Sequence, residues 1–421
     1  MSIRSHRVLM ILLLVGILLA GCASVVTESP LPTAISSIVV RTEISPTVQI
    51  PTNEPASPGT AFPSPSTIPA TAQPSDTVAP GPASKVAYVG EDGNIWLLDQ
   101  TSGETLQITT DSAPFEPSSD DGAGYTSYCC PGWSSEGSLL AFRREVGVAV
   151  EQGIQSSYQL LVFDISTGGT STFLEDQEAM NFAWQPGTHQ IAYDLTIPTE
   201  YFVSSFEENA QGIWVLDVDS RESHELVAPE RGYSLLFPKW SRDGRFLSFE
   251  EIVAMEGSGM FAFYDLERET YIARDEIIGY YSWSPDGERI AYDRLSYVPS
   301  GDERIWIRDR QGGEEQVLSP DFETGYAFHP VFSPLGDSIV YLVETPGQVD
   351  GRQHVIVQEI DGGENHDLGE YSQVGDLAWS PDGTRLVFTS GPYNTRKIRE
   401  ITISNEHSNT LASGSQPAVQ P

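Results

Sequence analysis

The sequence predicts an all-β fold, a β-propeller of four-stranded blades carried on a disordered stalk. Two observations carry that expectation. A turn-and-strand unit recurs six times, at intervals of 43 to 56 residues. All eight tryptophans fall on fixed positions of the repeat. A period of that length made of short strands marks propeller blades, which enlarge a fold by radial repetition.

The unit begins with an aromatic residue. The starts are Trp133, Trp184, Trp240, Trp283, Phe332 and Trp379, as in Trp283-Ser284-Pro285-Asp286-Gly287. Proline presets φ, aspartate tolerates the turn, and glycine supplies φ > 0. An alternating strand follows, for example Arg289–Asp293. A third strand ends in aspartate: Ile95–Asp99, Leu160–Asp164, Ile213–Asp217, Phe261–Asp265 and Ile305–Asp309. Turns such as Gln311-Gly312-Gly313 lead to a short fourth strand. The tryptophans are expected to fill the wedge between neighbouring sheets.

A seventh unit, from Val86 to Thr109, starts directly at the second strand and lacks the aromatic turn. Seven blades are therefore expected, the first three-stranded if nothing completes it, with six as the alternative. The end of the chain, ASGSQPAVQP, does not read as a strand. The expected organisation is a signal at 1–21, a linker at 22–84, the propeller at 85–412 and a disordered tail at 413–421.

The first residues place the chain in the cell. Arg4 and Arg7 precede an apolar run from Val8 to Leu19, too short to span a bilayer. Residues 23–84 hold 12 of the 29 prolines, one aromatic residue and five charges, too little apolar surface to offset chain entropy. Such a tether reaches from about 45 Å as a coil to about 190 Å as polyproline. The tetrad Leu19-Ala20-Gly21-Cys22 resembles the bacterial lipobox. That resemblance implies removal of residues 1–21, lipid on Cys22, and an extracytoplasmic protein anchored to a membrane.

The turn units are similar to the WD40-like repeats of the TolB family. They also resemble the propeller domains of prolyl oligopeptidase and dipeptidyl-peptidase enzymes. The resemblance covers residues 85–412. Trp184-Gln185-Pro186-Gly187 and Ser333-Pro334-Leu335-Gly336 depart from it by losing the aspartate, so those turns are expected to differ in shape. In the peptidases the serine nucleophile sits on a hydrolase domain with a G-x-S-x-G motif, which this sequence lacks.

Chemistry is scarce in the rest. There are 23 Lys+Arg against 59 Asp+Glu, a formal net charge of −36. That charge repels a phosphate backbone, so nucleic acid is not an expected partner. No H-E-x-x-H, phosphate loop or dinucleotide fingerprint occurs. No cofactor and no metal are expected. Asp217-Val218-Asp219-Ser220 reads as a turn, and Asp120-Asp121 as solvated charge in a long loop. Cys129 and Cys130 are adjacent and could form a vicinal disulfide or remain buried thiols.

The residues expected to line a mouth of the ring are Tyr128, Asn181, Lys239, Tyr280, Tyr281, His329 and Asp376. Tyrosines and charges there offer stacking area and polar anchors. The leading expectation is a monomeric interaction platform for a protein, peptide or glycan, not an enzyme. The alternatives are a propeller hydrolase or lyase acting on polysaccharide, and an assembly or spacer protein of the envelope.

Overall fold

The computed structural model describes residues 85–421 apart from 115–123, 151–152, 175–178, 196–209, 231–232, 253–258, 274–277, 295–303, 321–324, 346–350, 362 and 364. The expected signal, Cys22, the linker and Asp120-Asp121 lie outside the described residues. Among those described, no helix is long and apolar enough to cross a membrane.

The fold is an all-β propeller. Five sheets have four antiparallel strands and one has seven. The seven-stranded sheet is two four-stranded units that share one strand, His407–Val419. Its first half pairs with Lys397–Thr402, and its second half pairs with Lys85–Gly90. Counted so, the described residues make seven blades. Blade 1 holds the second half of the shared strand, then Lys85–Gly90, Ile95–Asp99 and Thr105–Gln107. The inner strands of blades 2 to 7 are Gly124–Trp133, Ala179–Trp184, Ser234–Trp240, Tyr281–Trp283, Tyr326–Phe332 and Gly375–Trp379.

The shared strand overturns the expectation of a disordered tail at 413–421 and of a three-stranded first unit. Glycine and proline in ASGSQPAVQP disfavour a strand locally, but both have a place in this one. Gly414 marks the crossing between blades with φ +152, and a Cβ there would meet the Val89 carbonyl oxygen at 2.2 Å. Pro417 falls in a bulge, where a ladder bond is already missing. Pairing on both edges supplies what the local sequence does not.

The turn units fold as their residues dictate, with serine in a part the motif does not advertise. Ser134, Ser241, Ser284, Ser333 and Ser380 are buried. Each accepts the N–H five residues on through its Oγ, for example Arg289 N at 2.8 Å and Arg385 N at 3.0 Å. The glycine four residues after the aromatic takes φ near +70° in all five of these turns. The turn at Trp184 does differ: Gly187 takes φ +75 one position earlier, and Gln185 stands where serine would. The turn at Phe332 keeps the common form despite Leu335, which is left exposed.

Tryptophan stitches the blades. Trp133 Nε1 donates to Ala418 O (3.0 Å), Trp184 to Gly132 O (2.9 Å), Trp240 to Ala183 O (3.2 Å) and Trp379 to Val331 O (3.2 Å). Trp283 Nε1 donates to Ser248 Oγ at 2.8 Å. Each bond runs to the preceding blade. Blade 6 has Phe332 instead, and its backbone N–H donates to Ser282 Oγ of blade 5 at 2.8 Å. The third-strand tryptophans Trp96, Trp214 and Trp306 are only half-buried.

A graded pair of variants tests the closure. Removing residues 414–421 should cost more than about 4 kcal/mol, because blade 1 loses its inner strand and the ring opens. Trp133→Phe keeps an aromatic ring in the wedge but loses the second ring of a buried indole and its bond to the closing strand, a cost of about 2–3 kcal/mol. Urea unfolding midpoints measure both. Equal midpoints for the truncated and intact chains would show that the ring closes otherwise.

Candidate functional site: an axial cavity with cationic walls

The inner strands bulge where they meet the axis. Register shifts occur in blades 2, 3, 4, 6 and 7 and in the shared strand of blade 1. Cys130, Phe237, His329, Asp376 and Gln416 sit there with φ between +53 and +63. Proline follows four of them: Pro131, Pro238, Pro330 and Pro417. A bulge frees the residue's N–H from the ladder, and a buried N–H needs another acceptor.

The preceding blade provides it. Asp194 Oδ2 accepts Phe237 N at 2.8 Å, and Asp293 Oδ2 accepts His329 N at 2.9 Å. Asp376 Oδ2 accepts Gln416 N at 3.2 Å, and Gln416 Oε1 accepts Cys130 N at 2.8 Å. The two second-strand aspartates also serve their own blades. Asp194 takes Asn181 N and Nδ2, and Asp293 takes Tyr280 N. Burial pushes the Asp194 carboxyl up to about 6, against the pull of its N–H donors and of Arg143. Gly279 is needed for this contact: a Cβ would lie 1.7 Å from Asp293 Oδ1.

Below the bulges lies a cavity of about 420 Å³ between the inner strands of blades 3 to 6. Lys239, Arg242, Tyr281 and His329 line it, with Trp184, Trp240 and Trp283. No aspartate or glutamate is among its lining residues. Lys239 Nζ lies 4.4 Å from the centre of the Tyr281 ring and donates to Tyr281 O at 3.3 Å. Arg242 Nη1 reaches past blade 5 to donate to Pro334 O of blade 6, at 3.0 Å. Burial lowers the Arg242 pKa, which starts high enough for the guanidinium to keep its charge. The His329 ring stacks on Tyr280, with centroids 4.4 Å apart and planes 20° apart.

Three of the seven residues expected at the mouth therefore meet in one cavity: Lys239, Tyr281 and His329. Tyr280 supports them from behind His329. Asn181 holds Asp194 within blade 3, and Asp376 belongs to an inter-blade bond. Tyr128 is core: it is buried, packs edge-on against Phe142, and donates to Asp111 Oδ1 at 2.6 Å. Arg242 was not foreseen. Its signal was present, since it stands where other turns have proline. Tyr281 is buried and its hydroxyl donates to Ser248 Oγ at 3.0 Å, so it presents its ring and backbone.

The remaining sites resolve simply. Cys129 and Cys130 are joined as a vicinal disulfide in the blade 2 bulge, with Cys130 exposed. Asp217 Oδ1 accepts Ser220 N at 2.8 Å, the turn geometry expected there. Among the described residues no group of three His, Cys, Asp or Glu is placed to hold a metal ion.

No protein-family model matches the chain. A stretch of 132 residues is 28% identical to dipeptidyl-peptidase 5 of Porphyromonas gingivalis, covering 29% of this chain and 19% of that protein. The chain thus spans under a fifth of that relative. Among solved structures, a prolyl endopeptidase is similar with a TM-score of 0.57 and 14% identity, over 81% of this chain and 50% of that one. An oligogalacturonate lyase in complex with manganese has a TM-score of 0.55 and 13% identity, over 79% and 85%. TolB from Acinetobacter baumannii is 18% identical over 78% and 79%, with a TM-score of 0.46. At such identities the likeness is one of fold: this chain shares the propeller architecture of the prolyl endopeptidase and oligogalacturonate lyase structures.

His329 makes the cavity's environment measurable. Burial first, and the Lys239 charge second, hold its imidazole down to about 4. An unfolded chain takes up that proton near pH 6.5. Stability should fall as the pH drops from about 6.5 to about 4, by at most about 3 kcal/mol. His329→Gln should flatten that part of the profile. A urea-midpoint series against pH gives the answer, and an unchanged slope in the variant would place the ring in a wetter setting.

Proposed function

We propose that this chain is an exported, lipid-anchored propeller that serves as an interaction platform, and that its axial cavity takes an anionic group of a protein, peptide or glycan. One observation carries the reading. In a chain of 59 acidic and 23 basic residues, the cavity has Lys239 and Arg242 in its wall and no carboxylate. A cation in a partly desolvated pocket attracts an anion more strongly than one at the surface does. Inside the cavity the nearest charges decide, and the lining supplies two cations and no carboxylate. The rings of Trp240 and Tyr281 add apolar wall for a sugar face or side chain.

The anchor rests on the sequence: the apolar run before Cys22 and the tetrad around it. Lipid on Cys22 and the proline-rich tether would hold the propeller outside the cytoplasm, with reach to meet partners.

Calorimetry with a galacturonate trimer, an acidic tetrapeptide and neutral maltotriose tests the cavity. At least one acidic probe should bind and the neutral sugar should not. Lys239→Ala and Arg242→Ala should each weaken binding by ~10-fold or more, the value of a charge-assisted contact. Equal binding of the neutral sugar, or wild-type affinity in both variants, would overturn the reading. Labelling with radioactive palmitate should mark the intact chain and leave Cys22→Ala unmarked.

A further inference from the structure

Blade 2 departs from the other six. Its second and third strands, Leu139–Val150 and Gly153–Asp164, have 12 residues each. The second strands of the other blades have 5 to 7. The six residues after Arg144 carry the hairpin about 20 Å further, at the end of the ring where the inner strands begin. The inner strand follows it on one side, as far as Gly124 opposite Val148. The outer strand does not follow. Gly169–Phe173 pairs only with Leu160–Asp164. The outer edge of Gly153–Ser157 pairs with no described strand.

An open edge is a template for another strand, and proteins blunt such edges with charge, proline or a bulge. Gly153-Ile154-Gln155-Ser156-Ser157 has no charged residue and no proline, and its pairing to the second strand runs without a register shift. The flap is also apolar where it projects. Six large hydrophobic residues are conspicuously exposed among the described ones, and three lie here. Val148 (43%) and Val150 (45%) share one face, and Ile154 (49%) is on the other. In a chain this acidic, an uncharged edge flanked by bare apolar side chains is where a partner would dock.

We propose that this edge accepts an extended, positively charged peptide segment as an added strand. Main-chain hydrogen bonds would supply the affinity, and alternate side chains would rest on Val148 and Val150 or on Ile154. Charge selects the occupant. A net charge of −36 draws a cationic segment and opposes a second copy of the same chain. The surface is separate from the axial cavity, so the two proposals stand or fall independently.

Fluorescence anisotropy with a labelled Lys-Val-Lys-Val-Lys-Val-Lys peptide, on the full chain in detergent, tests it. The peptide should bind, and the Glu-Val counterpart should not. Adjacent N–H groups of a strand point to opposite edges. One of Ser156→Pro and Ser157→Pro therefore removes an outward N–H and leaves the hairpin intact. That variant should lose at least ten-fold in affinity with an unchanged thermal melt. Gln155→Lys keeps every backbone bond and should weaken binding several-fold by like charge. Simple adsorption to the acidic surface would leave all three variants at wild-type affinity and would overturn the proposal. So would sedimentation of the chain alone as a dimer that the same proline breaks, since the edge would then serve a second copy.

Discussion

A bulged N–H at the axis is the constraint on which this ring depends. The inner strands of six blades are bulged, and in four of them the bulge frees an N–H from the ladder. The acceptor comes from the blade before: Asp194 for Phe237, Asp293 for His329, Asp376 for Gln416, Gln416 for Cys130. An orphaned buried donor costs about 1–3 kcal/mol, so the part-buried bonds from Phe237, His329 and Gln416 weigh more in the breaking than in the making, while the Cys130 bond is exposed. With the tryptophan bonds beside them, these contacts make each blade's register the condition for its neighbour's. The shared strand carries the same logic across the join, where Gln416 both gives and receives.

That constraint also shapes the cavity. Carboxylates near the axis are spent on backbone N–H groups: Asp194 and Asp293 are buried and committed, and Asp376 is bonded on both sides to Thr389 and Gln416. The charged side chains that line the open space beneath are then cationic, Lys239 and Arg242. The charge inversion follows from the scaffold's own demand for acceptors at the bulges. The acidic residues that give the chain its net charge serve the bulges here, and others hold the turns after the third strands, as Asp99 and Asp265 do.

The fold was legible because its signals are local. Trp283-Ser284-Pro285-Asp286-Gly287 specifies a turn within five residues, and the alternation after it specifies a strand. The closing strand was not legible, because Gly414 and Pro417 argue against a strand until both of its edges are paired. Such pairing brings residues over 300 positions apart into register, and no window of sequence holds that information. The site was half legible for a related reason. A bulge shifts which residues face the axis, so a one-position error moves a side chain between core and channel. Tyr128 fell on the core side of such a shift, and Lys239 on the axial side. Arg242 was hidden because its turn keeps serine, aspartate and a positive-φ Gly244, so the loss of proline leaves the geometry unchanged.

The two ends of the ring differ in what they can do. At one end each aromatic turn has five residues between its strands, six times over. Their serines are locked, and Arg242 spans from blade 4 to blade 6 there. Such short, bonded turns leave little backbone to rearrange around a partner. At the other end the links between second and third strands range from 2 to 17 residues, and the blade 2 flap rises from the same end. Variable connections on a rigid frame are where binding surfaces arise, since the frame bears the cost of order and the links are released from it. The axial cavity and the open edge of the flap draw on that same division. The cavity uses the rigid inner strands to fix its cations, and the flap uses a strand that outgrew its blade.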